Sequence, residues 1–396
     1  FNNLKYFFII FFILFSPLKV GSEPKQFITQ YGHYEKIKGG GYEFILKRYN
    51  LPQFSAKIHP RGYGSGYLAE SNNNLLILSP NGSFNYISLE NFKNDFISQK
   101  IFLEPIRSNL KEFINLTHKW YDASGPRFGV RDIFVKENNI YISIVGTQPY
   151  ENDCVNTFIV SSKIVFDGSK FNYLDFKPFF IPEDCIKIFK PDSDDFYKFK
   201  VNILNSGGRI ESFKNNSILF TIGVYSDFKN HAQDNNSSLG KLFSINLDNG
   251  KSKIIAKGLR NSQGLFYDNL NDMIYLTDHG PQGGDEINII SKNMIKSNKI
   301  INFGYPISSY GEHYGFKERD DNDPKYKVST LYKSHKDYGF EEPKEYFVPS
   351  IGISQIIGIP NEFTNYKNKE FFFGSLGKSI DVGLSVFYYA HNKKLL

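Results

Sequence analysis

The sequence predicts an all-β fold, a β-propeller assembled from repeated hairpins. Three observations carry that prediction. Short β-rich runs recur along the chain, bounded by Asn, Asp and Gly turns. One pattern returns five times: a polar or Gly start, an apolar strand, an Asn/Asp turn and a second apolar strand. No long helical period interrupts it, so little helix is expected.

The copies come in order. The first is "GYLAESNNNLLILSPNG", Gly66 to Gly82, and the second "RDIFVKENNIYISIVG", Arg131 to Gly146. The third is "GRIESFKNNSILFTIG", Gly208 to Gly223, and the fourth "QGLFYDNLNDMIYLTDHG", Gln263 to Gly280. A looser fifth, "SQIIGIPNEFTNYKNKEFFFGSLG", runs from Ser354 to Gly377. Further strands lie between copies, as in "KLFSINLDNGKSKIIAKGL", Lys241 to Leu259. Hairpins repeated at long, irregular spacing read as propeller blades with loop insertions. A sandwich would use fewer strands, and a parallel β-helix shorter repeats.

Composition fits a globular protein, with 40% hydrophobic and 22% charged residues. The net charge of +6 is interleaved along the chain. No basic stripe with stacked aromatics is present, which argues against a nucleic-acid partner. At the N-terminus Lys5 precedes an apolar run, Tyr6 to Phe15, and small residues at Val20-Gly21-Ser22. That layout reads as a secretory signal over residues 1–22, with an N-terminal anchor or a buried strand as alternatives. The run is short for a span of about 20 residues, so no stable membrane span is expected after its removal. Residues 23–396 are read as one propeller domain, in a periplasmic or secreted protein. The two cysteines, Cys154 and Cys185, are open between a local disulfide, which export would permit, and two buried thiols.

The stretch that points to chemistry is "GLRNSQGLFYDNLNDMIYLTDHGPQGGDEINII", Gly258 to Ile290. It gathers Arg260, Asn261, His279, Asp285 and Glu286 around a Gly/Pro loop. On residues alone, Arg260 reads as an ion-pair partner between blades and Glu286 as a brace at a strand end. His279 reads as a loop hydrogen-bonder and Asp285 as a turn former.

Four motifs, "GLRNSQGLFYD", "HGPQGGDEIN", "NFGYP" and "AQDNNSSLGKLFSINLDNG", resemble the PQQ-dependent glucose/sorbosone dehydrogenase family, the aldose sugar dehydrogenases. "VPSIGISQIIGI", Val348 to Ile359, resembles a later motif of the same family. The resemblance covers about Gly207 to Gly374 and rests on several motifs in order. It implies an exported six-bladed propeller, whose final blade is open between an incomplete one and one built differently. It also implies pyrroloquinoline quinone (PQQ) and calcium as cofactors, a small sugar as substrate and a separate electron acceptor. By motif position, Arg260, Asn261, Tyr314 and Ser354 would contact the quinone. Gly280 and Pro281 would turn carbonyls toward a cation, and Glu286 with the Phe303 carbonyl would hold calcium. Carboxylates and carbonyls are the hard oxygen ligands that calcium takes.

One position departs from the pattern. The family's general base is a His four residues before the Arg of a Gly-Arg-Leu/Ile strand start. Here, in "NILNSGGRI", that position is Asn205. An amide cannot accept a proton near neutral pH. The next His along the chain is His231, in an Asn-rich loop. The early Gln-containing Gly loop is also missing, since "RGYGSGYLAE" has no Gln. Two readings follow: a sugar dehydrogenase with its base elsewhere, or a catalytically inactive propeller serving as a binding or interaction module.

Overall fold

The structure is a computed structural model. It describes residues 26–39, 42–50, 66–114, 129–147, 150, 154–187, 203–225, 229–313, 324–358, 370–375 and 385–390. The signal reading at residues 1–22 and Tyr314 lie outside the described residues.

All five hairpins form where the turn chemistry places them. They pair Tyr67–Ser71 with Asn74–Leu78, Gly129–Lys136 with Asn139–Gly146, and Gly207–Phe213 with Ser217–Ile222. The last two pair Ser262–Asp268 with Met273–Asp278, and Ile353–Gly358 with Glu370–Ser375. The turn residues explain why. Asn72 and Asn73 in a two-residue turn, and Asn215 and Asn216 in a three-residue one, all have positive φ, which tight hairpin turns use and Asn tolerates.

Among the described residues the strands form six antiparallel-dominated sheets, five of them built on these hairpins. The fifth is three-stranded, ending in Ser385–Ala390. The sixth joins Phe27–Gly39 to Tyr42–Asn50 and Ile101–Phe102. The first strands of the five hairpins touch in sequence order, each packed beside the next, as the inner strands of a propeller do. Among the described residues helix is confined to short pieces such as Lys292–Ser297 and Pro324–Val328. No helix of the described residues is long and apolar enough to cross a membrane.

The core is a series of clusters between neighbouring blades. In Asn139–Gly146, Ile140, Ile142 and Ile144 pack toward the first hairpin's Leu76 and Leu78. Their alternates Tyr141 and Val145 pack toward Ile218 and Phe220 of the third. Leu219 faces the other way, to Leu265 and Leu276. The second strands of the first four hairpins are therefore buried on both faces, which is why they read as continuous apolar runs.

Hydroxyls on those second strands latch one blade to the next. Ser143 Oγ donates to the Gly208 carbonyl, Thr221 Oγ1 to Ser262 and Thr277 Oγ1 to Ser354, at 2.5, 3.4 and 2.6 Å. Carboxylates add a second link. Asp132 Oδ2 accepts Ile210 N–H at 2.8 Å, and Asp285 Oδ2 accepts Ile351 and Ile353 N–H at 3.1 and 3.0 Å. Asp285, expected as a turn former, is instead a fully buried brace between the fourth and fifth blades. The register of the inner strands, and hence of the loops before them, is fixed by these bonds.

The cysteines form a disulfide, Cys154–Cys185, with Cα atoms 5.6 Å apart. It pins Ile186–Lys187 to the strand Cys154–Lys163. Beside it, the Asp184 carboxylate accepts Ser237 Oγ–H and Ser238 N–H, tying down the Asn-rich loop of residues 230–240.

Candidate functional site

The residues singled out from sequence converge where the third and fourth inner strands begin. Asn205 precedes the third and Arg260–Asn261 the fourth. Gly207 N–H donates to Asn261 Oδ1 at 3.1 Å, joining the two starts directly. The segment Val224–Tyr225 runs between them. Val224 N–H donates to the Arg260 carbonyl and Tyr225 N–H to the Asn205 carbonyl.

Arg260 and Asn261 are held by a carboxylate that the sequence reading did not single out. Asp278 accepts Arg260 N–H and Asn261 N–H, each at 2.8 Å, and Ser262 Oγ–H at 3.0 Å. Burial raises its pKa to about 7, and the nearby Glu286 charge adds to that, against the three donors. Asp278 ends an apolar strand run, and no spacing marks it as a positioning residue. The Arg260 side chain is 3% exposed. Its Nη1 donates to the carbonyls of Gly280 at 2.7 Å and His279 at 3.2 Å. Asn261 Oδ1 also accepts Gln263 Nε2–H at 2.8 Å.

Asn205 is buried, and its Nδ2 has no hydrogen-bond partner among the described residues. A buried, unpaired amide donor costs free energy, on the order of 1–3 kcal/mol, unless something accepts from it. His279 sits on the loop after Asp278. Burial lowers its pKa; the Asp285 charge opposes this and Arg260 reinforces it. His231 lies on the tied-down loop, its pKa lowered first by burial and then by Lys229. That loop borders an open depression of about 650 Å³ lined by Lys229, Asn230, His231, Gln233, Asp234 and Val328. Lys241 is fully buried and donates to the carbonyls of His231, Ala232 and Leu239, so it holds the loop from beneath. Gln233 bonds Asn302 and the Tyr305 carbonyl. Both are framework residues.

The remaining expected positions fall into two groups. Ser354 starts the fifth inner strand, with its carbonyl taken by Thr277. Glu286 and Phe303 belong to a separate buried cluster with His335. His335 Nε2 donates to Glu286 Oε1 at 3.1 Å, and its Nδ1 is paired with Ser308 Oγ at 2.8 Å. Asn288 Nδ2 donates to the other Glu286 oxygen at 3.2 Å. Burial works against a charged His335, but the Glu286 bond and charge outweigh it, with Glu342 and the Phe303 backbone, and its pKa is raised. His335 lies 49 residues beyond Glu286 in a loop, and no motif in the sequence announces the pairing.

These contacts decide which cofactor the donors suit. Calcium needs six to eight oxygens at about 2.3–2.6 Å. The Glu286 carboxylate is instead occupied by two N–H donors, and the Gly280 carbonyl by the Arg260 guanidinium. Pro281 lies against Gly311. No group of three or more His, Cys, Asp or Glu that could hold a metal occurs among the described residues. Glu286 and Gly280, two of the residues expected as calcium ligands, are therefore engaged by nitrogen donors and do not fit calcium in this arrangement. A quinone rich in carboxylate and carbonyl oxygens is a different case. The buried Arg260 cation suits such an acceptor-rich anion, and the orphaned Asn205 amide is a donor left for a second ligand beside it.

Residues 196–386 match the family model for glucose/sorbosone dehydrogenase. Among curated proteins, 68 residues are 38% identical to the aldose sugar dehydrogenase YliI of Escherichia coli K12, covering 17% of this chain and 16% of that one. An uncharacterized protein of Synechocystis is 30% identical over 130 residues, 27% of this chain and 30% of its own. One from Borreliella burgdorferi is 28% identical over 189 residues, 43% and 41%. The chain thus spans less than half the length of the curated relatives it matches. Among solved structures, a glucose dehydrogenase superposes with a TM-score of 0.57 at 18% identity, over 84% of each chain. The apo form of the soluble aldose sugar dehydrogenase of Escherichia coli gives 0.56 at 19%, over 86% of each. At such identities the structural likeness is one of fold. Over residues 196–386 this chain is thus similar in sequence to the glucose/sorbosone dehydrogenase family, and its β-propeller fold is like that of the two dehydrogenases superposed on it.

Proposed function

We propose that this protein is a PQQ-binding, sugar-dehydrogenase-type propeller whose ligand end is retained and whose proton-transfer step is impaired. One observation carries the reading. The strand starts bearing Asn205 and Arg260–Asn261 are joined, and the Asn205 amide is a buried donor with no partner among the described residues.

In this reading Arg260 and Asn261 would hold the quinone, with Ser354 as a further contact. Bound PQQ would supply the hydride acceptor for an aldose-type sugar. Arg260 places a fixed positive charge beside it, oriented by the Gly280 and His279 carbonyls and by Asp278 through the backbone. Asn205 donates a hydrogen bond to a sugar hydroxyl and orients it. It does not remove the proton, because an amide nitrogen has no basic lone pair at neutral pH. The reading places the protein outside the reducing cytosol, and the Cys154–Cys185 disulfide supports that.

The test is dye-linked oxidation of a panel of aldoses by PQQ-loaded protein. Slow turnover is expected from the parent. Restoring a base with Asn205→His should raise kcat by about 10² or more, the usual worth of general-base assistance. Brisk parent turnover that survives Asn205→Ala would place the base elsewhere, with His231 tested next. Failure of PQQ to bind would leave the non-catalytic propeller as the reading.

A further inference from the structure

We propose that the His335 ring holds the place on Glu286 that a divalent cation would otherwise take, so that this chain braces its fourth blade without calcium. Three features of the structure argue for a seat built around the ring. First, the partners are complete. The ring is 1% exposed, with Nε2 on Glu286 Oε1 and Nδ1 on Ser308 Oγ. Asn288 serves the second carboxylate oxygen, so Glu286 accepts a donor on each oxygen. Second, the backbone leaves room for an imidazole. Gly304 has φ +89°, and a Cβ there would lie 2.5 Å from His335 Nδ1 and 2.1 Å from Ser308 Oγ. Any other residue at 304 would displace the ring and would also strain the backbone. Third, the seat is anchored from the far side. The ring packs against Tyr310 with centroids 5.4 Å apart, and Tyr310 Oη–H donates to Glu342.

The consequence is architectural. Glu286 pairs in register with Asp278 on one side and Tyr346 on the other. His335 therefore ties the loop after residue 328 to the strand next to the one that ends in Asp278. A ring donor does this with geometry fixed by the chain, where an ion would do it only at sufficient concentration. A second nitrogen plays the same part nearby, since the Arg260 guanidinium occupies the Gly280 carbonyl. The inference stands on these contacts and does not depend on whether the protein oxidises sugars.

Thermal melting of the full chain, without quinone, tests it. The parent should melt at the same temperature in millimolar calcium and in excess EDTA. His335→Ala leaves Glu286 buried without its main donor, so it should melt several degrees lower in EDTA and recover part of that loss in calcium. His335→Gln, which keeps an N–H donor, should melt closer to the parent and stay indifferent to calcium; it serves if the alanine variant does not fold. The proposal is overturned if calcium raises the parent's melting temperature and Glu286→Gln abolishes the rise. It is equally overturned if His335→Ala melts like the parent in EDTA.

Discussion

Removing the Cys154–Cys185 disulfide should weaken the second blade and loosen the loop beside the proposed site. The bond closes a loop with a sequence separation of 31. In the chain-entropy model such a loop gives the folded state about 3.5 kcal/mol by restricting the unfolded chain. The double substitution Cys154→Ser/Cys185→Ser removes that restriction without adding bulk. A second effect should accompany it. Asp184 sits next to Cys185 and accepts Ser237 Oγ–H at 2.7 Å and Ser238 N–H at 3.0 Å. Without the disulfide a two-residue strand pairing and the Asn156 Nδ2–H bond to the Asp184 carbonyl hold this segment against its neighbour. Urea denaturation followed by circular dichroism measures the first effect, and amide hydrogen exchange at Ser238 the second. A loss of about 3.5 kcal/mol with faster exchange at Ser238 is expected. A loss below about 1 kcal/mol would refute the entropic argument. Unchanged exchange would refute the link from disulfide to loop.

Two further substitutions probe packing and charge. Gly264→Ala would set a Cβ 2.4 Å from Thr277 Oγ1 and 2.5 Å from the Ser354 carbonyl, wedging the fourth and fifth blades apart. It should destabilise by about 3 kcal/mol or more, read from the urea midpoint, and a neutral effect would contradict the latch geometry. Glu211 has its pKa raised from 4.5 to about 7, by burial first and by Asp132, against the Ser212 N–H and Arg209. The folded state then binds this proton more tightly than the unfolded state does. Stability should therefore fall as pH rises from about 4.5 to about 7, by at most about 3 kcal/mol. Glu211→Gln should flatten that part of the melting curve, and an identical pH profile in the variant would reject the assignment.

The hairpins were legible because local chemistry dictates them. Asn72-Asn73 and Asn215-Asn216 supply the positive φ of tight turns, and strands buried on both faces read as unbroken apolar runs. Arg260, Asn261 and Asn205 were legible because they stand next to strand starts in a recognisable order, and the fold brings those starts together. The partners were not legible. Asp285 looked like a turn residue because its acceptors' donors, Ile351 and Ile353 N–H, lie 66 and 68 residues away on the next blade. For Glu286 the residues read as a brace and the resemblance as a calcium ligand, and neither named its partner, because His335 comes from a distant loop without a motif. A sequence displays which groups are chemically able to bind an ion. Which donor reaches them first is decided by the packing of blades.

The central claim is that the joined strand starts form a quinone site, and PQQ binding itself tests it most directly. Equilibrium dialysis of PQQ against the parent, in EDTA and in calcium, with the bound fraction read by visible absorbance, gives the affinity without needing turnover. The account predicts saturable one-to-one binding that is weakened at least about tenfold by Arg260→Ala, the loss of a charge-assisted contact of about 1.5–3 kcal/mol. It also predicts that Asn205→His retains that binding. No binding by the folded parent, or binding unchanged by Arg260→Ala, would contradict it.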